Sequence, residues 1–90
     1  MRELLIEPEQ AESSENLEGR LRYYLLVDEL ELGGGLLCES YGVKVVSPDG
    51  EAEAVRNLTV RPERIDHLLE LLQRNQVPPV ALRDVIDDWL

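Results

Sequence analysis

Residues 20–27 alternate along the chain. Leu21, Tyr23, Leu25 and Val27 fall on one side of an extended backbone, and Arg20, Arg22, Tyr24 and Leu26 fall on the other. A period of two predicts a strand with one strongly buried face. The phase slips beyond Asp28, because Leu30 and Leu32 do not continue the Val27 series. A bulge or a strand end near Asp28-Glu29 is therefore expected. Gly33-Gly34-Gly35 predicts a turn. A phosphate-cradling loop needs Gly-Lys-Ser/Thr and a helix after its glycines. Leu36-Leu37-Cys38 follows instead, so the triplet reads as a hairpin linker. Tyr41, Val43 and Val45 alternate with Gly42, Lys44 and Val46 and predict the next strand. Ser47-Pro48-Asp49-Gly50 has proline second and glycine fourth, the pattern of a type I turn. Residues 51–60 return with Val55, Leu58 and Val60 at irregular spacing, so a bulge is expected near Arg56-Asn57.

The period then changes. Ile65, Leu68, Leu69 and Leu72 follow the helical spacing i, i+3, i+4, i+7, and Leu71 widens the stripe. Pro62 suits the first helical position and Glu63 the positive first turn. Asn75 is expected as a left-handed cap. Val77-Pro78-Pro79 hinges a second helix, begun by Pro79, whose stripe is Leu82, Val85, Ile86 and Trp89. Both stripes can close over the apolar face of the sheet, and Trp89 is expected to fill the core.

Strands followed by helices predict an α+β fold, an antiparallel β-meander of three to four strands with a C-terminal two-helix hairpin packed on one face. Leu4-Leu5-Ile6, closed by Glu7-Pro8, fits a short edge strand. Residues 8–18 are poor in large apolar groups and read as a mobile acidic loop, so that removal of residues 1–18 is expected to leave the fold intact. The organisation expected is one domain over 1–90, with the sheet in 19–60 and the helices in 61–90.

Composition narrows the chemistry. Apolar residues make up 43% of the 90, yet there is no Phe and only four aromatics, so the core must be aliphatic. A core this small gains from dimerisation. The net charge of −10 disfavours nonspecific contact with nucleic acid or an anionic membrane. Half of that charge lies in residues 1–18, where Arg2 stands against six glutamates. Cys38 is alone, which excludes an intrachain disulfide or a cysteine-based metal site and suggests a small buried hydrophobe. The acidic start, with its short apolar run, does not fit a signal peptide, and a cytoplasmic location is expected.

Several blocks carry a family likeness: Leu21-Arg22-Tyr23-Tyr24-Leu25-Leu26, Tyr41-Gly42-Val43-Lys44, Val55-Arg56-Asn57-Leu58-Thr59, and most specifically Arg74 through Leu90. Over residues 19–90 the chain resembles small proteins of anaerobic Gram-positive bacteria that carry the domain of unknown function 6514. The resemblance brings no assigned activity and no catalytic residues. The chain departs from it at the glycine turn, and at Arg61 and Pro78, where a Ser or Thr cap is expected. Those departures touch turns and caps, and leave the core pattern alone.

Two constellations are candidates for contact. If Leu21, Tyr23, Leu25, Val43 and Val45 face the helices, then Arg20, Arg22, Tyr24, Lys44 and Arg56 share the outer face of the sheet. They would form a basic stripe with one aromatic on an acidic protein. It suits an anion, an acidic peptide or another copy, and the acidic N-terminal segment can neutralise it. Single-strand nucleic acid needs several stacking aromatics. The second constellation is Asp84, Asp87 and Asp88 at the negative end of the last helix, where cations are favoured. Asp84 and Asp88 are i, i+4 and repel by about 0.2–0.5 kcal/mol, and Arg83 with Asp87 recovers part of this. No converging loop supplies a hard-cation site, so no metal is expected there. His67 flanks the first helical stripe at a surface or boundary position, with no nucleophile placed beside it.

The expectation is a small acidic module that binds another protein or a second copy of itself, without catalysis, cofactor or metal. Two alternatives stand beside it. One is an enzyme or small-ligand protein with a pocket between sheet and helices, which needs convergent polar groups inside the apolar layer. The other is an acidic antagonist mimicking nucleic acid, which needs carboxylates in rows.

Overall fold

The computed structural model describes residues 2–6 and 21–90. The expectations for the loop at 8–18 and for Arg20 fall outside them. Strands β1 (Arg2–Ile6), β2 (Arg22–Leu32), β3 (Leu36–Val46) and β4 (Ala52–Thr59) precede helix α1 (Pro62–Arg74), a 3-10 turn over Pro79–Ala81 and helix α2 (Leu82–Trp89). The sheet is an antiparallel meander in the order β1-β2-β3-β4. Both helices pack on one of its faces, giving the α+β fold that the order of periods predicts.

The core is the layer between that face and the helices. Tyr23, Val43 and Val45 meet Ile65, Leu68, Leu69 and Leu72 of α1, Val77 of the connection, and Leu82 and Ile86 of α2. Each fully buried aliphatic side chain contributes about 1.5–3 kcal/mol relative to exposure. Ile6 of β1 packs against the same cluster. The Gln73 side-chain amide donates to the Ile6 carbonyl at 3.3 Å, fastening the short first strand to α1. The edge strand expected at Leu4-Leu5-Ile6 is thus present as Arg2–Ile6, and removal of residues 1–18 would take a paired strand from the sheet.

Three local features depart from the sequence reading. The β2–β3 ladder runs without a shift from Arg22↔Val46 to Leu32↔Leu36, so no bulge or strand end lies at Asp28-Glu29. The phase slip instead marks a change of apolar face: Leu30 and Leu32 belong to the side opposite Val27. The left-handed residue after α1 is Gln76 (φ 49°) and not Asn75 (φ −96°). The Asn75 amide donates to the Leu71 carbonyl at 3.0 Å and keeps one more residue in the right-handed region. The Val77 N–H reaches the Leu72 carbonyl at 3.1 Å and the Gln76 N–H the Gln73 carbonyl at 3.3 Å, a Schellman closure displaced by one residue. Third, Arg83 pairs with Glu53 of β4 and not with Asp87, which ties α2 to the sheet.

The turns follow their residues. Gly34 and Gly35 hold φ of 77° and 81° in the β2–β3 connection. In the β3–β4 turn the Gly50 N–H donates to the Ser47 carbonyl at 3.0 Å. The Ser47 hydroxyl and the Glu51 N–H both bond the Asp49 carboxylate and hold its pKa below the usual range. The expected bulge is present in β4, where the register shifts between Tyr41↔Thr59 and Val43↔Val55 and Asn57 takes φ 58°.

Candidate functional site

In an antiparallel ladder, residues directly opposite share a face. The helix-side face therefore carries Tyr23, Leu25 and Val27 with Val45, Val43 and Tyr41. The outer face carries Arg22/Val46, Tyr24/Lys44, Leu26/Gly42, Asp28/Ser40, Leu30/Cys38 and Leu32/Leu36 in succession, with Glu3 and Leu5 from β1 and Arg56 from β4 beside them. The sequence thus placed Arg22, Tyr24, Lys44 and Arg56 correctly on one side.

Their charges are engaged within the sheet. Lys44 Nζ lies 5.5 Å from the Tyr24 ring centroid, within cation–π range, and donates to Glu3 Oε1 at 3.2 Å. Arg56 Nη1 stands 3.6 Å from Asp28 Oδ1. Asp28 Oδ2 is buried and has no hydrogen-bond partner among the described residues. Arg22 is exposed. The outer face near the body of the molecule is a row of compensated pairs around Tyr24 rather than a basic stripe.

Leu26 points to this outer face, yet it is 0% exposed. Its cross-strand neighbour is Gly42. A Cβ at Gly42 would lie 2.7 Å from Arg56 Cα, so the β4 backbone presses into the space a side chain would fill. The bulge at Asn57 curls β4 toward the outer side at this point, which carries Arg56 toward Asp28 on β2.

Beyond Asp28 and Ser40 the β2–β3 hairpin leaves the core, which takes no residue from the distal arm. The molecule is accordingly long, 48 × 24 × 23 Å. The arm has two unlike faces. Glu29, Glu31 and Glu39 lie on the helix side with Leu37, and Glu39 is held by Arg2 at 2.8 Å and by the Tyr41 hydroxyl at 3.1 Å. Burial, then the Glu39 hydrogen bond, raises the Tyr41 pKa. The outer side holds Leu30, Leu32, Leu36 and Cys38 with no charge among them. Leu32 is 50% exposed and Leu36 is 66% exposed. Sequence reasoning did not assemble this patch, although the phase slip at Leu30 and Leu32 was its signal. Cys38, expected to be buried, is only half-buried there.

The helix layer holds the other candidates. Asp84, Asp87 and Asp88 are exposed on α2, across the sheet from the hairpin face. The structure does not join the two sets into one site. His67 is exposed on α1. Trp89 is half-buried against the core, with the Arg64 guanidinium 4.5 Å from its ring centroid. Among the described residues no group of three His, Cys, Asp or Glu side chains is placed to hold a metal ion.

The layer between sheet and helices is filled by Val43, Val45, Ile65, Leu68, Leu72 and Leu82, each essentially inaccessible. Tyr23 brings a polar group into it, and that hydroxyl donates to the Val77 carbonyl at 3.2 Å. A shallow depression lined by Glu51, Ala52, Glu53, Pro79, Val80 and Arg83 lies at the other end of the sheet, by the β3–β4 turn. No described helix is long and apolar enough to cross a membrane.

Comparison with known proteins agrees with the likeness read from the C-terminal blocks. Neither the curated proteins nor the solved structures contain a match. A family model does match, over residues 2–90, and so covers β1 as well as the hairpin, β4 and both helices. The chain therefore belongs to the family of unknown function DUF6514.

Proposed function

We propose that this protein works in the cytoplasm by binding another polypeptide, without a catalytic centre, cofactor or metal of its own. The contact surface is the outer face of the β2–β3 hairpin. The observation that carries this reading is the arm. Two strands extend past the core and display Leu30, Leu32, Leu36 and Cys38 on one side, while the glutamates stay on the other. Apolar side chains contiguous on an exposed surface and bordered by polar groups mark a contact site. The compensated pairs Lys44–Glu3 and Arg56–Asp28, with Tyr24 between them, continue the face toward the body and supply a polar rim of the kind interfaces use. The acidic end of α2, where Asp84, Asp87 and Asp88 stand beside the exposed Leu90, is the secondary candidate for contact.

The test is a comparison of wild-type protein with Leu32→Glu/Leu36→Glu, both carrying an N-terminal tag and both purified from the native cell. The reading expects a stoichiometric partner, or a self-associated form, that the variant loses while its circular dichroism is unchanged. The same associations retained by the variant would exclude the hairpin face.

A further inference from the structure

The distal hairpin has an open edge as well as an apolar face, and the edge narrows the kind of polypeptide it takes. We propose that the distal stretch of β2, Glu29–Leu32, accepts a strand from another protein whose residues alternate between basic and apolar. The inference rests on the reading of the hairpin as the contact site and adds the mode of contact and the partner's chemistry.

The backbone is the first argument. β1 covers β2 only as far as Arg2↔Val27. The ladder with β3 continues beyond it without a shift to Leu32↔Leu36. On the side away from β3, Glu29–Leu32 bonds no described residue. The backbone N–H and C=O groups on that side are a template for one more strand. Natural sheets commonly blunt an edge with a proline, a lysine or a bulge. β4 carries such a bulge at Asn57. β2 has none of the three between Asp28 and Leu32, and its register stays regular there. A strand added here lies in line with β1 and antiparallel to β2.

Charge is the second argument. Glu29 and Glu31 lie on the helix side of the arm, and Leu30 and Leu32 alternate with them on the outer side. Both glutamates are exposed, and neither forms an ion pair among the described residues. Glu29 also stands directly opposite Glu39, and like charges in that position repel. A cation from the flanking strand relieves this, and β1 already supplies one: its Arg2 reaches Glu39 at 2.8 Å from the same side of the sheet. The next strand in line meets Glu29 and Glu31 with basic residues. Because successive residues point to opposite faces, the residues between them lie beside Leu30 and Leu32 and are apolar. A second copy of this stretch fits badly, since edge-to-edge pairing about a two-fold axis sets Glu29 and Glu31 against glutamates. Main-chain hydrogen bonds supply the affinity of an added strand and alternate side chains its specificity, so the contact does not need the area of a face-to-face interface.

Fluorescence anisotropy of a labelled synthetic peptide against the full chain decides the matter. The probe alternates lysine and valine over about six residues, the usual length of a strand. Saturable binding is expected. Glu29→Lys/Glu31→Lys is expected to raise the dissociation constant by about tenfold or more, and to bind instead a peptide that alternates glutamate and valine. Both positions are exposed, so its circular dichroism should match wild type. Asp87→Lys/Asp88→Lys, the same change of charge on α2, is expected to leave the constant within about twofold. A chain of net charge −10 attracts any cationic peptide, so a second probe carries N-methyl groups on alternate backbone amides. It keeps the charge and loses the donors of a strand, and wild type should bind it about tenfold or more weakly. No saturable binding of the first probe up to about 1 mM overturns strand addition, as does equal binding of the methylated probe or a loss in the α2 variant alone. The contact face is then judged by the native partner. A partner still lost by Leu32→Glu/Leu36→Glu keeps the face with another mode of contact, and a partner retained removes both readings.

Discussion

Leu26 and Gly42 stand opposite each other on β2 and β3, and the residue without a side chain makes room for β4 beside the buried leucine. The relationship joins sequence to surface. Only glycine lets the β4 backbone approach so closely, and that approach brings Arg56 to Asp28 and closes the outer face near the body. Gly42→Ala would put a Cβ 2.7 Å from Arg56 Cα, where backbone and not a flexible side chain must yield. We expect a loss of about 2–3 kcal/mol in chemical denaturation. A loss below about 0.5 kcal/mol, the range of neutral surface changes, would contradict the close approach.

Trp89 is half-buried, with its ring against the core and the Arg64 guanidinium over its face. Trp89→Ala should therefore cost about 2–3 kcal/mol, less than the roughly 3–5 kcal/mol of a fully enclosed tryptophan. Arg64→Ala should cost about 0.5–1 kcal/mol in wild type and almost nothing in Trp89→Ala. Equal effects of Arg64→Ala in both backgrounds would show that the stacking contributes nothing to stability.

Burial pushes the Tyr23 pKa up to about 12. The unfolded chain ionises this phenol near 10 and the folded chain holds its proton longer. The folded state thus binds more protons between those values, and stability falls as pH rises from about 10 to about 12. The loss attributable to Tyr23 is up to about 2 kcal/mol, and Tyr23→Phe should remove it while giving up the bond to the Val77 carbonyl. An identical alkaline slope in Tyr23→Phe would place the titration elsewhere.

Removal of residues 1–18 deletes β1 and with it the Ile6 packing, the Gln73 bond to the Ile6 carbonyl and the Lys44–Glu3 pair. It also leaves β2 as an uncovered edge, a template for aggregation. The truncated chain should be at least about 1 kcal/mol less stable, by the partial burial of Ile6 alone, and more prone to precipitate. An unchanged thermal midpoint would show that β1 adds nothing to the sheet.

Much of the fold is legible in the sequence because each period is backed by local chemistry. Pro62 and Glu63 open α1 where the stripe Ile65, Leu68, Leu69, Leu72 begins, and the spacing of Val55, Leu58 and Val60 already signals the bulge at Asn57. The misreadings have physical causes. Asn75 has the residue type of a left-handed cap, but its side chain found the Leu71 carbonyl and passed the left-handed position to Gln76. Arg83 has an acid one helical turn away and a better partner across the fold in Glu53. The slip at Leu30 and Leu32 looks like an interruption when apolar positions are assumed to mean one core. It is instead the second face of an unbroken ladder, and the core ends before it does. Of the candidate site, the residues on the outer sheet face could be read from parity. Their pairing with Glu3 and Asp28 could not, because it depends on β1 and on the curl of β4 at Gly42.

The central claim is that the outer face of the distal hairpin is where this protein makes contact. Amide hydrogen exchange, followed residue by residue with and without the peptide of alternating lysine and valine, tests it most directly. The account predicts that exchange slows with peptide across Asp28–Leu32, while α1 and α2 are unaffected. Slowing confined to α2 around Asp84, Asp87 and Asp88, with the hairpin unchanged, would contradict it.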